Sequence, residues 1–279
     1  MFFVQEMVIL PLPQTKTGLH NMAYKQGSFV FTDNPDDLPL ILLDDVELVI
    51  LRQKTLQQVK DCMKQAANDI SLSKENMTLH DRKTLDGKRI IVPASGKHKI
   101  KGIEPLQKER SKLRNLIKRS FRLATYDLNM MKLAIQKASR KAGDNVFHRD
   151  FSAGMRPEEL PEYERIIATC VHEGKGTEFI PIKDAGIRIE DPRSNESFRQ
   201  IFPNYKSLDN LVAPKTGSIA VFKAGKNGAV HRGPSKGRGL RWWSFFQTIL
   251  SYKEIKRGFT KSELRKLQTR FNTLPKQAL

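Results

Sequence analysis

Cysteine is nearly absent. The 279-residue chain has two, Cys62 and Cys170, far apart and without metal-ligand spacing. That excludes a disulfide framework and a zinc knuckle, and it makes a reducing, cytoplasmic setting the expectation. Long apolar runs are missing too: no stretch approaches the ~18 consecutive apolar residues of a membrane span. The opening, Met1 to Pro13, is apolar in places, but Glu6 interrupts it and no basic stretch precedes it, so it is a poor signal peptide. No internal repeat and no low-complexity tract is present. Acidic residues are the other shortage, with 30 Asp and Glu against 49 Lys and Arg, a net charge of +19 and a pI near 10.0. A surface this basic attracts nucleic acid, acidic proteins or anionic lipid, but charge alone selects none of them and says nothing about fold. What is present is a globular composition, 39% hydrophobic and 28% charged, enough for a real core.

Along the chain, residues 1 to about 40 hold Gly, Pro, Asn and Asp clusters and read as an irregular lead-in. Val46 to Leu51 is β-rich. Leu56, Val59, Met63, Ala66 and Ile70 then recur at helical spacing, predicting an amphipathic helix. Residues 71 to 104 are polar and basic, with one apolar run at Ile90-Ile91-Val92. A long helix is expected from Pro105 to a stop at Gly143, with Leu113, Ile117, Phe121, Ala124, Leu128, Met131 and Ile135 on one face. From Asn145 onward short β-rich runs replace the helical period: Phe147 to Phe151, Arg165 to Val171, Thr177 to Ile182, Ser218 to Phe222 and Leu240 to Phe246. A polar loop is expected over 184 to 212, and Thr260 with Glu263 marks the start of a short C-terminal helix.

Three elements carry chemistry. His148-Arg149-Asp150 places an imidazole and a carboxylate on one side of a strand, since residues i and i+2 point the same way. The same letters open the protein-kinase catalytic loop, but no Asp-Phe-Gly follows and no Gly-rich loop precedes. His231 follows the run Ser218 to Phe222 through a Gly-containing loop. Two His and one carboxylate can hold one face of an octahedral iron and leave the other positions open. Arg241, ten residues after His231, offers a guanidinium fork for a carboxylate, with Trp243 and Phe245 on the same strand face. Each element also has a bland explanation. His148 and Asp150 could be a solvent-facing strand pair, His231 a loop histidine, and Arg241 a surface charge or cation–π partner. His172 is a rival ligand, but it shares a strand face with Ile166, Ala168 and Cys170 and is read as a non-ligand. His20, His80 and His98 lie in polar segments and are read as solvated.

Taken in order, these elements resemble the Fe(II)/2-oxoglutarate-dependent dioxygenase superfamily over roughly residues 145 to 247. His148-x-Asp150 comes first, and Gly174-Lys175-Gly176-Thr177-Glu178-Phe179 is similar to the family's Gly-Gly-x-Thr-x-Phe turn. Pro214 to Phe222 is similar to its Pro-x-x-Gly-x-x-x-x-Phe strand, and His231 and Gly239-x-Arg241 complete the series. The resemblance implies an α+β chain. Its double-stranded β-helix (jelly-roll) core would occupy 143–250, with an irregular and α-helical N-terminal portion, 1–142, packed on it and a basic helical tail over 251–279. It also implies Fe(II) on His148, Asp150 and His231, and 2-oxoglutarate on Arg241. The chemistry would be oxidative decarboxylation of 2-oxoglutarate to succinate and CO₂, coupled to hydroxylation or N-demethylation. The chain departs from the pattern where many members have Ser two residues beyond the Arg, since Trp243 stands there. Lys175 likewise replaces the second Gly of the turn.

The basic surface, concentrated in Lys108 to Arg122, Lys97 to Lys101 and Lys253 to Arg270, makes an anionic partner (nucleic acid or acidic protein) the expectation beside this activity. Two other readings stand against the oxygenase. One is a non-catalytic β-helix module that binds such a partner. The other is a cupin-type metal enzyme that does not use 2-oxoglutarate.

Overall fold

Several strands of this chain must satisfy two buried faces at once, and the period-two alternation of side chains in extended backbone is what allows it. The computed structural model describes residues 23–69, 77–83, 89–93, 104–124, 128–137, 146–150, 164–186, 189–190, 199–225, 228–234 and 240–277. The opening Met1 to Pro13, His20 and His98 lie outside the described residues.

In chain order the strands are β1 (Tyr24–Gln26), β2 (Phe29–Thr32), β3 (Leu48–Leu51), β4 (Met77–Lys83), β5 (Arg89–Pro93), β6 (Leu128–Lys137) and β7 (Phe147–Asp150). They continue as β8 (Arg165–Glu173), β9 (Glu178–Ile180), β10 (Ile189–Glu190), β11 (Arg199–Phe202), β12 (Ile219–Lys223), β13 (Val230–Arg232) and β14 (Leu240–Ser251). Helix α1 (Gln57–Asp69) follows β3, α2 (Glu104–Ser120) follows β5, and α3 (Tyr252–Arg257) and α4 (Lys261–Thr273) follow β14. Among the described residues no helix is long and apolar enough to cross a membrane.

The strands form a large sheet in the order β1-β2-β3-β12-β8-β14-β6-β4-β5 and a small one in the order β10-β11-β7-β13-β9. From β6 to β9, and again from β12 to β14, successive strands alternate between the two sheets, the winding of a double-stranded β-helix. Burial follows the alternation. On β12, Ile219 and Val221 join a core with Leu113 and Ile117 of α2, Ile255 of α3 and Phe271 of α4, so helices cover that face. Ala220 and Phe222 join a second core with Phe179 of the small sheet. On β8, Ile166, Ala168 and Cys170 go to the helical side and Ile167 to the inter-sheet side.

The N-terminal portion is not predominantly helical among the described residues. Strand β3 pairs antiparallel with β12, and Val49 and Leu51 extend the helical-side core while Leu48 and Ile50 extend the inter-sheet one. The expected irregular lead-in holds β1, β2 and a 3-10 helix over Pro35–Leu42. The polar stretch after Ile70 contains β4 and β5, and the expected polar loop over 184 to 212 contains β10 and β11.

The long helix expected from Pro105 to Gly143 also needs correction, because α2 stops at Ser120 and Leu128 to Lys137 form β6. The stop is a left-handed residue, Arg122, at φ 55°. Around it the Leu123 N–H reaches the Lys118 carbonyl at 2.9 Å and the Arg122 N–H reaches that of Arg119 at 3.3 Å. This double closure ends helices elsewhere with glycine. Here tertiary contacts hold the arginine in place: it is ion-paired to Glu263, donates to the Gly258 carbonyl at 2.9 Å and lies 4.3 Å over the Phe259 ring. The capping box of Thr260 and Glu263 that starts α4 is present as expected.

Phe222 is 1% exposed, and its ring lies 5.2 Å from Phe179 and 5.0 Å from His231. Phe222→Ala is expected to destabilise the metal-free protein by about 3–5 kcal/mol, read from urea unfolding. A loss under about 1 kcal/mol would show that the two sheets do not depend on this contact.

Candidate metal centre

Strands β7 and β13 pair antiparallel with His231 directly opposite His148, and directly opposed residues share a sheet face. The two imidazole centroids are 4.5 Å apart. His231 is 6% exposed and lies 5.7 Å from the Phe179 ring, on the inter-sheet side. Its neighbours Val230 and Arg232 face out. Val230 packs with Phe147 and Ile180, and Arg232 pairs with Glu178 on β9 at 2.7 Å, both side chains largely buried.

Both rings carry the same local hydrogen bond. His148 Nδ1 lies 3.0 Å from the Val146 carbonyl, and His231 Nδ1 lies 3.1 Å from the Ala229 carbonyl. A carbonyl only accepts, so each Nδ1 is the donor and the two rings are oriented alike. Two imidazoles side by side on one face, each anchored through Nδ1 to a backbone carbonyl, have the arrangement a divalent metal takes through Nε2. Asp150 ends β7 two positions beyond His148, with its backbone in register with Arg199. Its side chain lies outside the described residues, and among those described no three His, Cys, Asp or Glu side chains converge on a metal position.

Arg241 is 8% exposed on β14, and its Nη2 donates to Thr177 Oγ1 at 2.6 Å. Burial pulls its pKa down to about 10, which leaves it charged at neutral pH. Thr177, Phe179, Thr169, Val171 and Ala220 line one small cleft. Two residues of its wall face the candidate site, Phe179 against His231 and Thr177 against Arg241. Arg241, Trp243 and Phe245 do share a face: the Arg241 guanidinium lies 5.2 Å over the Trp243 ring, and Trp243 meets Phe245 edge-on at 5.9 Å.

The turn that delivers Thr177 depends on Gly176, where a Cβ would stand 2.5 Å from the Pro214 carbonyl oxygen. Lys175, which replaces the second glycine of the family turn, is exposed, so the departure costs no packing there. Sequence reasoning did not assign Thr177 to Arg241, nor Phe179 and Phe222 to His231. Thr177 and Phe179 lie within the turn motif, and that placement was the available signal.

His172 points away from this cleft. It is fully buried on the helical side, with Nε2 2.7 Å from Ser244 Oγ and Nδ1 3.8 Å from Cys170 Sγ. His80 lies on β4, with its side chain outside the described residues.

No protein-family model and no curated protein matches the chain. Several solved structures are similar to it. A prolyl hydroxylase in complex with a hypoxia inducible factor oxygen degradation domain peptide, from Trichoplax adhaerens, is 10% identical over 81% of this chain and 93% of its own, with a TM-score of 0.38. EvdO2 from Micromonospora carbonacea var. aurantiaca, complexed with 2-oxoglutarate, is 13% identical over 72% and 86%, with a TM-score of 0.40. An oxidoreductase of the 2OG-Fe(II) oxygenase family from Burkholderia pseudomallei is 12% identical over 83% and 96%, with a TM-score of 0.34.

The pKa of His172 is pushed down to about 3, mainly by burial and secondly by the Arg110 charge, from an ordinary 6.5. The folded state therefore resists a proton that the unfolded chain accepts. Stability is full above the unfolded value of 6.5 and falls as pH drops toward 3. Unfolding midpoints between pH 6.5 and 5.5 are expected to drop in the parent protein and to stay flatter in His172→Gln, an interval chosen because ordinary carboxylates stay ionised. Equal slopes would show that His172 is not held neutral.

Proposed function

We propose that this chain is an Fe(II)- and 2-oxoglutarate-dependent oxygenase, with His148, Asp150 and His231 as iron ligands and Arg241 as the anchor of the co-substrate. The observation that carries the reading is the matched histidine pair, each Nδ1 bonded to a local carbonyl, with His231 against Phe179 and the buried Arg241 against Thr177, two residues that line one small cleft. Iron and 2-oxoglutarate together would supply O₂-driven oxidation of a C–H bond, as hydroxylation or oxidative demethylation, with release of succinate and CO₂.

The chain's own residues set up that chemistry. Val146 and Ala229 orient the two rings through their carbonyls. Arg241 meets the distal carboxylate with a planar fork of donors. Phe179 and Phe222 wall the His231 side with apolar surface, which keeps bulk water from the reacting carbon. On this reading residues 1–142 wrap the catalytic core of 143–250, and 251–279 close the helical side. Both cysteines are free and buried, as suits a reducing cytoplasmic setting.

Anaerobic titration of the iron-loaded protein with 2-oxoglutarate is expected to raise a saturable, weak visible charge-transfer band. His231→Ala should abolish iron binding and the band together. Iron held without a band would favour the cupin-type reading, and iron retained at full stoichiometry by His231→Ala would remove the ligand assignment.

The substrate class follows from charge. Exposed Lys108, Lys112 and Arg119 run along α2, and exposed Lys261, Arg265 and Lys266 along α4, two helices joined by the Arg122–Glu263 pair. Glu109 lies 3.9 Å from Lys112, and Glu263 and Glu254 are committed to capping boxes, so cations outnumber carboxylates along these helices. A nucleic-acid or acidic-protein partner fits this layer. Oligonucleotide affinity, followed by fluorescence anisotropy, is expected to fall about tenfold or more between 50 and 200 mM salt. The same affinity in protein that never holds iron would favour a non-catalytic binding module.

A further inference from the structure

Trp243 carries a polar atom that the fold leaves unused. Its Nε1 is buried and has no hydrogen-bond partner among the described residues. A buried N–H left that way costs about 1–3 kcal/mol, so in native proteins it calls for an explanation. Its position supplies one. On β14, Trp243 stands opposite Val171, which lines the cleft, and two residues beyond Arg241, whose guanidinium lies 5.2 Å over the indole ring. The next residue, Ser244, faces the other way, 0% exposed and bonded to His172, so it supplies nothing to the cleft.

Thr177 completes the picture. Its Oγ1 accepts from Arg241 at 2.6 Å, which leaves its own O–H to be donated. Arg241 thus bonds one residue of the cleft wall and lies over the indole of Trp243, so a guanidinium, a hydroxyl and an indole N–H, all of them donors, belong to residues in contact through Arg241. An ionised carboxylate, with about four acceptor sites and none to donate, is the ligand such a set recognises.

We infer that Trp243 is a co-substrate-selecting residue whose indole N–H donates to the distal carboxylate of 2-oxoglutarate beside Arg241, with Thr177 as the third donor. The inference rests on the oxygenase reading of the cleft. It also gives the tryptophan a role that packing alone does not, since a phenylalanine would fill the same wall without the buried N–H.

The test is calorimetric titration of the iron-loaded protein, without oxygen, using 2-oxoglutarate and 2-oxopentanoate, which has a methyl group where the distal carboxylate stands. With 2-oxopentanoate as the control for the change in size, Trp243→Phe keeps an aromatic ring, though a smaller one, and removes the donor. It is expected to raise the Kd for 2-oxoglutarate about tenfold, the lower end for a hydrogen bond to a charged group, and to leave 2-oxopentanoate within about twofold. Unchanged 2-oxoglutarate affinity, or equal weakening of both ligands, overturns the inference and leaves the oxygenase reading standing. A parent protein that holds iron but does not prefer 2-oxoglutarate overturns the reading of the cleft and the inference with it.

A second measurement avoids the variant. The chain has 2 tryptophans, hence two indole N–H signals in ¹⁵N-labelled, zinc-loaded protein. Saturating 2-oxoglutarate should move one of them downfield, and no movement of either under demonstrated binding overturns the inference.

Discussion

The site hangs on the register of one short antiparallel contact, His231 of β13 against His148 of β7. These strands have 3 and 4 residues, too few for backbone pairing alone to fix which residue faces which. A slip of one residue would turn His231 outward and bring Val230 or Arg232 to the cleft. Side chains on the outer face prevent it. Val230 fits a pocket with Phe147, Ile180 and Phe202, while Arg232 closes on Glu178 and on the face of Phe147 at 4.1 Å. Phe179 and Phe222 hold the ring from the inner side. Every one of these contacts is lost in the slipped register, so the placement of the two histidines is enforced from both sides of the small sheet.

The large sheet faces the opposite problem at its centre, where β3, β12 and β8 are buried on both sides. One face closes the cleft and the other carries α2, α3 and α4. Polar groups on its strands therefore have to be placed by face. On β8, Thr169 and Val171 line the cleft, and on β14 Arg241 reaches Thr177 beside it, whereas His172, Ser244 and Cys170 satisfy one another under the helices. On β8, Thr169 and Cys170 are adjacent and serve different interiors. The same logic separates Ser244 from Trp243, adjacent in sequence and assigned to different interiors.

That logic also explains how far the sequence could be read. Strands β7, β8, β9, β12 and β14 announce themselves through β-branched and aromatic runs between Gly and Pro turns, and the His148, His231 and Arg241 spacing is visible without coordinates. Strand β6 is not, because Leu128, Met131 and Ile135 satisfy a helical spacing as well, and its partner β14 comes only near the end of the chain. The end of α2 was equally hidden. A left-handed arginine gives no local warning, and the Glu263 and Phe259 contacts that hold it arise only when α4 docks. At the site, the ligand spacing was legible but its supports were not. A hydrogen bond from Arg241 to a hydroxyl 64 positions earlier has no signature in either segment.

Charge ties the two faces together in a way that salt can separate. The net charge of +19 raises the local concentration of any anion, whether a polyanion along α2 and α4 or a small dicarboxylate entering the cleft. Exposed lysines and arginines act over a screened distance of ~8–10 Å at ordinary ionic strength, so their contribution fades as salt rises. Arg241, almost wholly buried beside Thr177 and Trp243, is shielded from that screening. Salt should therefore slow the arrival of a co-substrate much more than it weakens the bound state. On the helical layer, where every contact is exposed, salt should weaken binding itself. The difference follows from burial, and on the proposed function it would keep recruitment of an anionic partner physically distinct from retention of 2-oxoglutarate.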